Sequence, residues 1–201
     1  MPVLTATAAS ADRLESLHIL NLEVNLTKRA MLQLHGRFRT DDRLRHVFQA
    51  RGGPLFYYQL APRFTVIAGF YAIEQYTVDD SFNQHRLFAG GQARVVERKR
   101  WTLDHRFLFE RFVAGPTADF SRVRNRLMLA TRGWRLNPYV SGEALWVERV
   151  RTIGRYTAGV QFRAGRLGML STGYEYREAV RGAPSHVIAT TLQIVLRKPR
   201  E

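Results

Sequence analysis

The sequence predicts an all-β protein: an antiparallel, up-and-down transmembrane β-barrel of about 12 strands, with 10 as the second choice. Three observations predict it. Apolar and polar residues alternate along segment after segment, the period of a strand with two unlike faces. Several segments reach the ~9–11 residues that a tilted strand needs to cross a bilayer, whereas globular strands average ~5–6. The connections alternate between short and longer ones, as in barrels of the bacterial outer membrane.

The chain has 201 residues, enough for one domain. Its 45% hydrophobic and 11% aromatic content exclude intrinsic disorder. It contains no cysteine, which excludes a disulfide scaffold, a thiolate metal site and a cysteine nucleophile. No stretch approaches the ~18 consecutive apolar residues of a membrane-spanning helix. Lys and Arg total 31 against 17 Asp and Glu, a formal charge of +14.

Residues 1–17 form an N-terminal segment, read as a short helix around Leu14, Leu17 and His18 or as a first strand. They lack the basic and apolar stretches of a secretory signal. The barrel is placed at residues 18–197, followed by a basic tail at 198–201. Eleven strand candidates span about 18–27, 30–39, 44–60, 63–75, 84–98, 101–113, 120–132, 137–149, 153–164, 168–178 and 185–197. In the first, Leu20, Leu22, Val24 and Leu26 alternate with Asn21, Glu23, Asn25 and Thr27. In the second, Leu32, Leu34, Gly36 and Phe38 alternate with Gln33, His35, Arg37 and Arg39. Arg122, Arg124 and Arg126 alternate with Val123, Asn125 and Leu127. The segments 64–73 and 187–196 carry apolar residues on both faces. Bacterial single-chain barrels have even strand numbers, so eleven candidates imply one missed strand, placed at 2–10, or one false one.

Alternation does not say which face points inward. Long strands, Arg interleaved with Glu on the polar face, and aromatics near strand ends favour a membrane barrel with a polar lumen. These aromatics are Phe56, Tyr57, Tyr58, Phe70, Tyr71, Trp101, Trp134, Tyr139, Trp146, Tyr156, Tyr174 and Tyr176. The alternative is a soluble, basic β-barrel binding a polyanion or a small ligand.

A family resemblance rests on particular residues. These are Arg51-Gly-Gly-Pro-Leu-Phe-Tyr-Tyr58 with Gly69-Phe-Tyr71, and Gln84-His-Arg-Leu87 with Gln92. They continue with Arg106-Phe-Leu-Phe-Glu-Arg-Phe112, Arg122-Val-Arg-Asn-Arg-Leu127, Glu143, and Gly173-Tyr-Glu-Tyr176. Across about residues 19–197 the chain resembles the bacterial outer-membrane barrels grouped as domain of unknown function 2490. The Arg–x–x–x–Glu–Arg element followed by Arg–x–Arg–x–Arg is its most specific part. Gln84 departs from it, standing where family members tend to have Glu. The resemblance implies a Gram-negative-type outer-membrane location. Its implied partners are membrane lipid, lipopolysaccharide and the barrel-assembly machinery, with no nucleic acid. It implies no known activity.

The candidate site is a lumenal charge network of Arg86, Arg106, Glu110, Arg122, Arg124, Arg126, Glu143 and Glu175. If the strands carrying Glu110 and the arginine row pair as a hairpin, Glu110 reaches an arginine across the ladder, and Glu143 meets the row from the other side. The network reads as ion-paired lumen filling or as an anion-selective constriction. The six histidines lack metal-ligand spacing, so no metal and no cofactor are expected. His85 is read as a lumenal hydrogen-bonding group. No Gly-x-Ser-x-Gly elbow occurs, so the expectation is a structural or pore-like protein and not an enzyme. A wall-mounted lipid hydrolase built from Ser141, Ser171 or Ser185 with His105 or His186 is the catalytic rival.

Overall fold

Long strands in an open sheet leave two edges of unpaired backbone groups, and closing the sheet removes those edges. The computed structural model of the chain describes residues 13–41, 46–77, 80–115, 119–148, 152–166, 168–179 and 183–197. Its strands are β1 (Arg13–Asn25), β2 (Ala30–Thr40), β3 (Val47–Ala61), β4 (Phe64–Tyr76), β5 (Ser81–Glu97), β6 (Trp101–Val113), β7 (Phe120–Thr131), β8 (Asn137–Val147), β9 (Ile153–Ala164), β10 (Gly168–Arg177) and β11 (Ser185–Arg197). They form a closed barrel in sequence order. The short connections gather at one end and the longer ones at the other, as the sequence predicts.

Two expectations need correction. Among the described residues the ring closes with eleven strands, not twelve or ten. When every connection is a hairpin, an odd number leaves the first and last strands running the same way, so the seam is parallel. β1 pairs with β11 in parallel from Arg13–Ser185 to Val24–Arg197, and every other pair is antiparallel. The twelfth strand expected at 2–10 falls outside the described residues. The helix read around Leu14 and Leu17 is instead the start of β1, where Leu17 turns inward and Leu14 outward.

The seam is directly testable, because the native chain offers no cysteine. Leu20 and Leu192 are register partners across it. Neighbouring strands lie ~4.8 Å apart, inside the range a disulfide spans. The pair Leu20→Cys and Leu192→Cys is expected to cross-link in high yield on oxidation, read as a mobility change on a non-reducing gel. A strand inserted between them would abolish the cross-link.

The structure also decides which face is inside. The polar sides of β1 and β2 point inward, with Glu23, Gln33 and His35 buried. Leu20, Leu34 and Phe38 point outward and are exposed. From Leu20 on β1 to Ile188 on β11, every strand carries at least one large apolar side chain more than a third exposed.

The interior has two sectors. On β3–β6, Leu55, Ile67, Tyr71, Ile73, Phe88, Leu108 and Phe112 form a buried apolar cluster. The remaining wall is lined mostly by charged and amide side chains. The doubly apolar segment 64–73 is thereby explained: one face fills the lumen while the other lies outside. For the same reason Tyr57, Tyr71 and Tyr139, predicted for the outer girdles, line the lumen instead. Phe56, Tyr58, Trp101, Trp134, Trp146, Tyr156 and Tyr174 are exposed.

Candidate functional site

A strand advances ~3.4 Å per residue and alternates faces. Arg–x–Arg–x–Arg on β7 therefore stacks three guanidinium groups along one inner face. β6 and β7 pair in a register that sets Glu110 opposite Arg122 and Arg106 opposite Arg126. β8 sets Glu143 opposite Arg126.

Glu110 is fully buried and serves three arginines. Arg122 donates to it at 2.5 Å, Arg124 at 3.1 Å, and Arg86 lies 3.4 Å away. Glu143 accepts from Arg124 Nε at 3.0 Å and from Arg155 at 3.5 Å. Glu175 accepts from Arg177 and from the Thr157 hydroxyl at 3.4 Å. Arg177 also donates to Glu15 at 3.3 Å, and Glu15 accepts from Arg39. The charge ladder thus runs from β5 through β6–β10, crosses the parallel seam and ends on β2. Near the other end of the seam, Gln193 donates to Glu23 at 2.9 Å.

Arg86 joins the two sectors. It is 3% exposed, and its guanidinium lies 4.5 Å from the Tyr71 ring centroid and 5.3 Å from that of Phe88. Cation–π attraction of this kind strengthens when both partners are desolvated. The apolar cluster therefore holds the same arginine that helps neutralise Glu110.

Of the eight residues expected in the network, Arg86, Glu110, Arg122, Arg124 and Glu143 meet in one connected group. Glu175 belongs to the neighbouring group around Arg177. Arg106 and Arg126 face the same lumen without joining an ion pair among the described residues; Arg126 reaches only the Met128 sulfur, at 3.9 Å. Sequence reading missed Glu15, Arg39, Arg155 and Arg177, which complete the ladder. Their signal was present in the polar face of each strand, but the pairing across the seam was not. His85 is a correction: it stands on the outward face of β5, with its ring 5.5 Å from that of Phe70. Ser141 and Ser171 line the lumen. His105 and His186 stand on the outer face, hydrogen-bonded to Asn125 and Tyr174.

The lumen encloses a cavity of about 600 Å³. Among the described residues, nine arginines and three glutamates line it. Such a surface attracts anions and repels cations.

The chain matches, over residues 15–185, the family model described as protein of unknown function (DUF2490). No curated protein and no solved structure matches it.

Proposed function

Because the chain belongs to DUF2490, a family of proteins of unknown function, we propose its role from its own geometry: it is an outer-membrane β-barrel with a pore-like role, its lumen narrowed by an Arg/Glu girdle that favours small anions. One observation carries this reading, the inversion of the usual burial pattern. Glu110 and Arg86 are buried inside, while large apolar side chains stand exposed around all eleven strands. Soluble monomers rarely expose an apolar surface that runs continuously around the molecule. A lipid-facing barrel requires one. The soluble, polyanion-binding alternative calls for the opposite arrangement, with the arginines outside.

The deciding experiment is planar-bilayer conductance of the refolded chain, with a detergent-free solubility control. Small discrete steps with anion preference are expected. Insertion without conductance would assign the barrel a structural role. Full solubility without detergent would overturn the membrane reading.

A substitution tests the same point. Leu127 sits mid-strand on the outer face of β7 and is 51% exposed. Leu127→Arg is expected to cost about 2–4 kcal/mol in lipid vesicles, the range for a cation on the lipid face near the bilayer midplane. In a soluble barrel the same change costs nothing measurable by urea unfolding.

A further inference from the structure

Two pairs of arginines face each other across neighbouring strands without a carboxylate between them. Arg37 is the register partner of Arg51, and Arg106 that of Arg126. All four border the lumenal cavity, and none makes an ion pair among the described residues. Like charges directly opposite on a sheet destabilise it, so an empty lumen holds two unfavourable contacts.

The protein nevertheless braces two of these arginines with neutral groups: Arg37 donates to Gln49 Oε1 at 3.2 Å, and Arg51 is held more elaborately. Arg51 Nε donates to His35 Nε2 at 3.3 Å. Guanidinium has no acceptor, so His35 Nε2 carries no proton. His35 Nδ1 is then the protonated nitrogen, and it donates to Asn21 Oδ1 at 2.8 Å. The Tyr71 ring lies 4.8 Å from the Arg51 guanidinium. A neutral histidine, an amide and a phenol ring thus hold a cation that no carboxylate balances. The buried Nε atoms of Arg37 and Arg106 find no acceptor among the described residues.

We propose that the lumen binds a small solute through a phosphate-type oxyanion, clamped by Arg51 and Arg37 on one side and Arg106 and Arg126 on the other. Arginine suits this task because its planar fork gives bidentate, charge-assisted bonds to phosphate. A cavity of about 600 Å³ lies within the range of small-molecule sites and exceeds what one phosphate group fills. Leu55, Tyr57, Phe88 and Leu108 offer the rest of the solute an apolar shelf.

This inference deepens the anion preference of the proposed lumen, and its test separates the two. The full chain, refolded in neutral detergent, is unfolded thermally in phosphate and in chloride at equal ionic strength. Ligand that binds only the folded state raises the midpoint. Phosphate is expected to stabilise the protein beyond chloride, and phenyl phosphate more than phosphate. Arg106→Gln is expected to raise the midpoint without phosphate, because it removes a like-charge contact. It should weaken phosphate binding by roughly tenfold or more, the loss of a charge-assisted hydrogen bond. No response beyond chloride, or an equal response in Arg106→Gln, would overturn the site and leave the barrel reading intact. A protein that needs no detergent would overturn the membrane reading and leave the phosphate response to be judged alone.

A second, independent observation concerns the barrel ends. The five short connections, residues 26–29, 62–63, 98–100, 132–136 and 165–167, contain nine Lys and Arg and no Asp or Glu. The five longer ones, 41–46, 77–80, 114–119, 148–152 and 178–184, contain seven Asp and Glu against five Arg. The fold brings the described residues of each set to one end. Beside the basic set, Leu60, Trp101, Trp134, Leu136 and Leu196 are exposed. An apolar collar with tryptophans next to a cationic rim matches the headgroup layer of a membrane.

We infer that the short-turn end is seated in a leaflet of anionic phospholipid. The proposal rests on the membrane reading. Refolding into phosphatidylcholine vesicles is compared with refolding into vesicles containing phosphatidylglycerol. Faster insertion with the anionic lipid is expected, an advantage that shrinks in salt and in the Arg98→Gln, Lys99→Gln, Arg100→Gln variant. This variant leaves the lumen untouched, so its phosphate response is expected to persist. Insertion in both vesicles at equal rates, or an unchanged advantage in the variant, would overturn the seating without touching the barrel.

Discussion

Glu110→Ala is expected to lower the unfolding free energy by about 3–5 kcal/mol, the cost of leaving buried cations without their partner. The carboxylate has no exposure, and Arg86, Arg122 and Arg124 converge on it. Removing it leaves three guanidinium groups repelling one another where water cannot replace the lost charge. Glu110→Gln keeps the volume and loses only the charge, so it separates electrostatics from packing. Adding Arg122→Gln to Glu110→Gln should recover part of the loss, because neighbours within one network are not additive. Urea unfolding in detergent reads all three variants. Unfolding midpoints equal to that of the native chain would mean that the arginines are solvated by lumenal water and that the network has no structural role.

Gly90→Ala is expected to be among the most damaging single-methyl changes in the barrel wall. Gly90 lies on β5 opposite Leu108 of β6. A Cβ there would collide with the Phe107 carbonyl oxygen and lie 2.9 Å from the Leu108 Cα. Both are backbone atoms of a hydrogen-bonded neighbour, so no side-chain rotation relieves the contact. Overpacking typically costs about 1–3 kcal/mol, and this site belongs at or above the upper end, because the strand itself must move. Gly133→Ala serves as contrast: a Cβ there meets nothing within 4 Å, although its positive φ of 83° still disfavours alanine. Loss of folded yield at Gly90 alone would identify close approach of the strands as the cause. Equal tolerance at both positions would show that the wall accommodates the methyl group.

Much of the fold was legible because a strand's period is local. The candidate at 101–113 matches β6, and 153–164 matches β9, since alternation and turn residues mark both ends. The Glu110–Arg122 contact was legible too, because the connection 114–119 makes β6 and β7 neighbours and the matching of polar inner faces restricts their register. The contacts of Glu15 with Arg39 and Arg177 were only half legible. The Arg39 contact follows from a hairpin, whereas Arg177 is 162 residues away and reaches Glu15 across the seam. Strand count failed for a related reason: parity depends on how the last strand meets the first, and no local pattern records that meeting.

The sequence by itself determined the strands, the alternation of their faces, the alternation of short and longer connections, and the arginine row. Each is a property of residues within a few positions of one another, where backbone geometry alone dictates the outcome. Only the tertiary structure decided which face became the interior, that eleven strands close through a parallel seam, and that Tyr71 and Arg86 share the lumen with the ionic ladder. Among the described residues it also left Arg37, Arg51, Arg106 and Arg126 outside the ion pairs. Those outcomes depend on closure, which sets residues far apart in the chain side by side and turns one choice of face into the environment of every side chain.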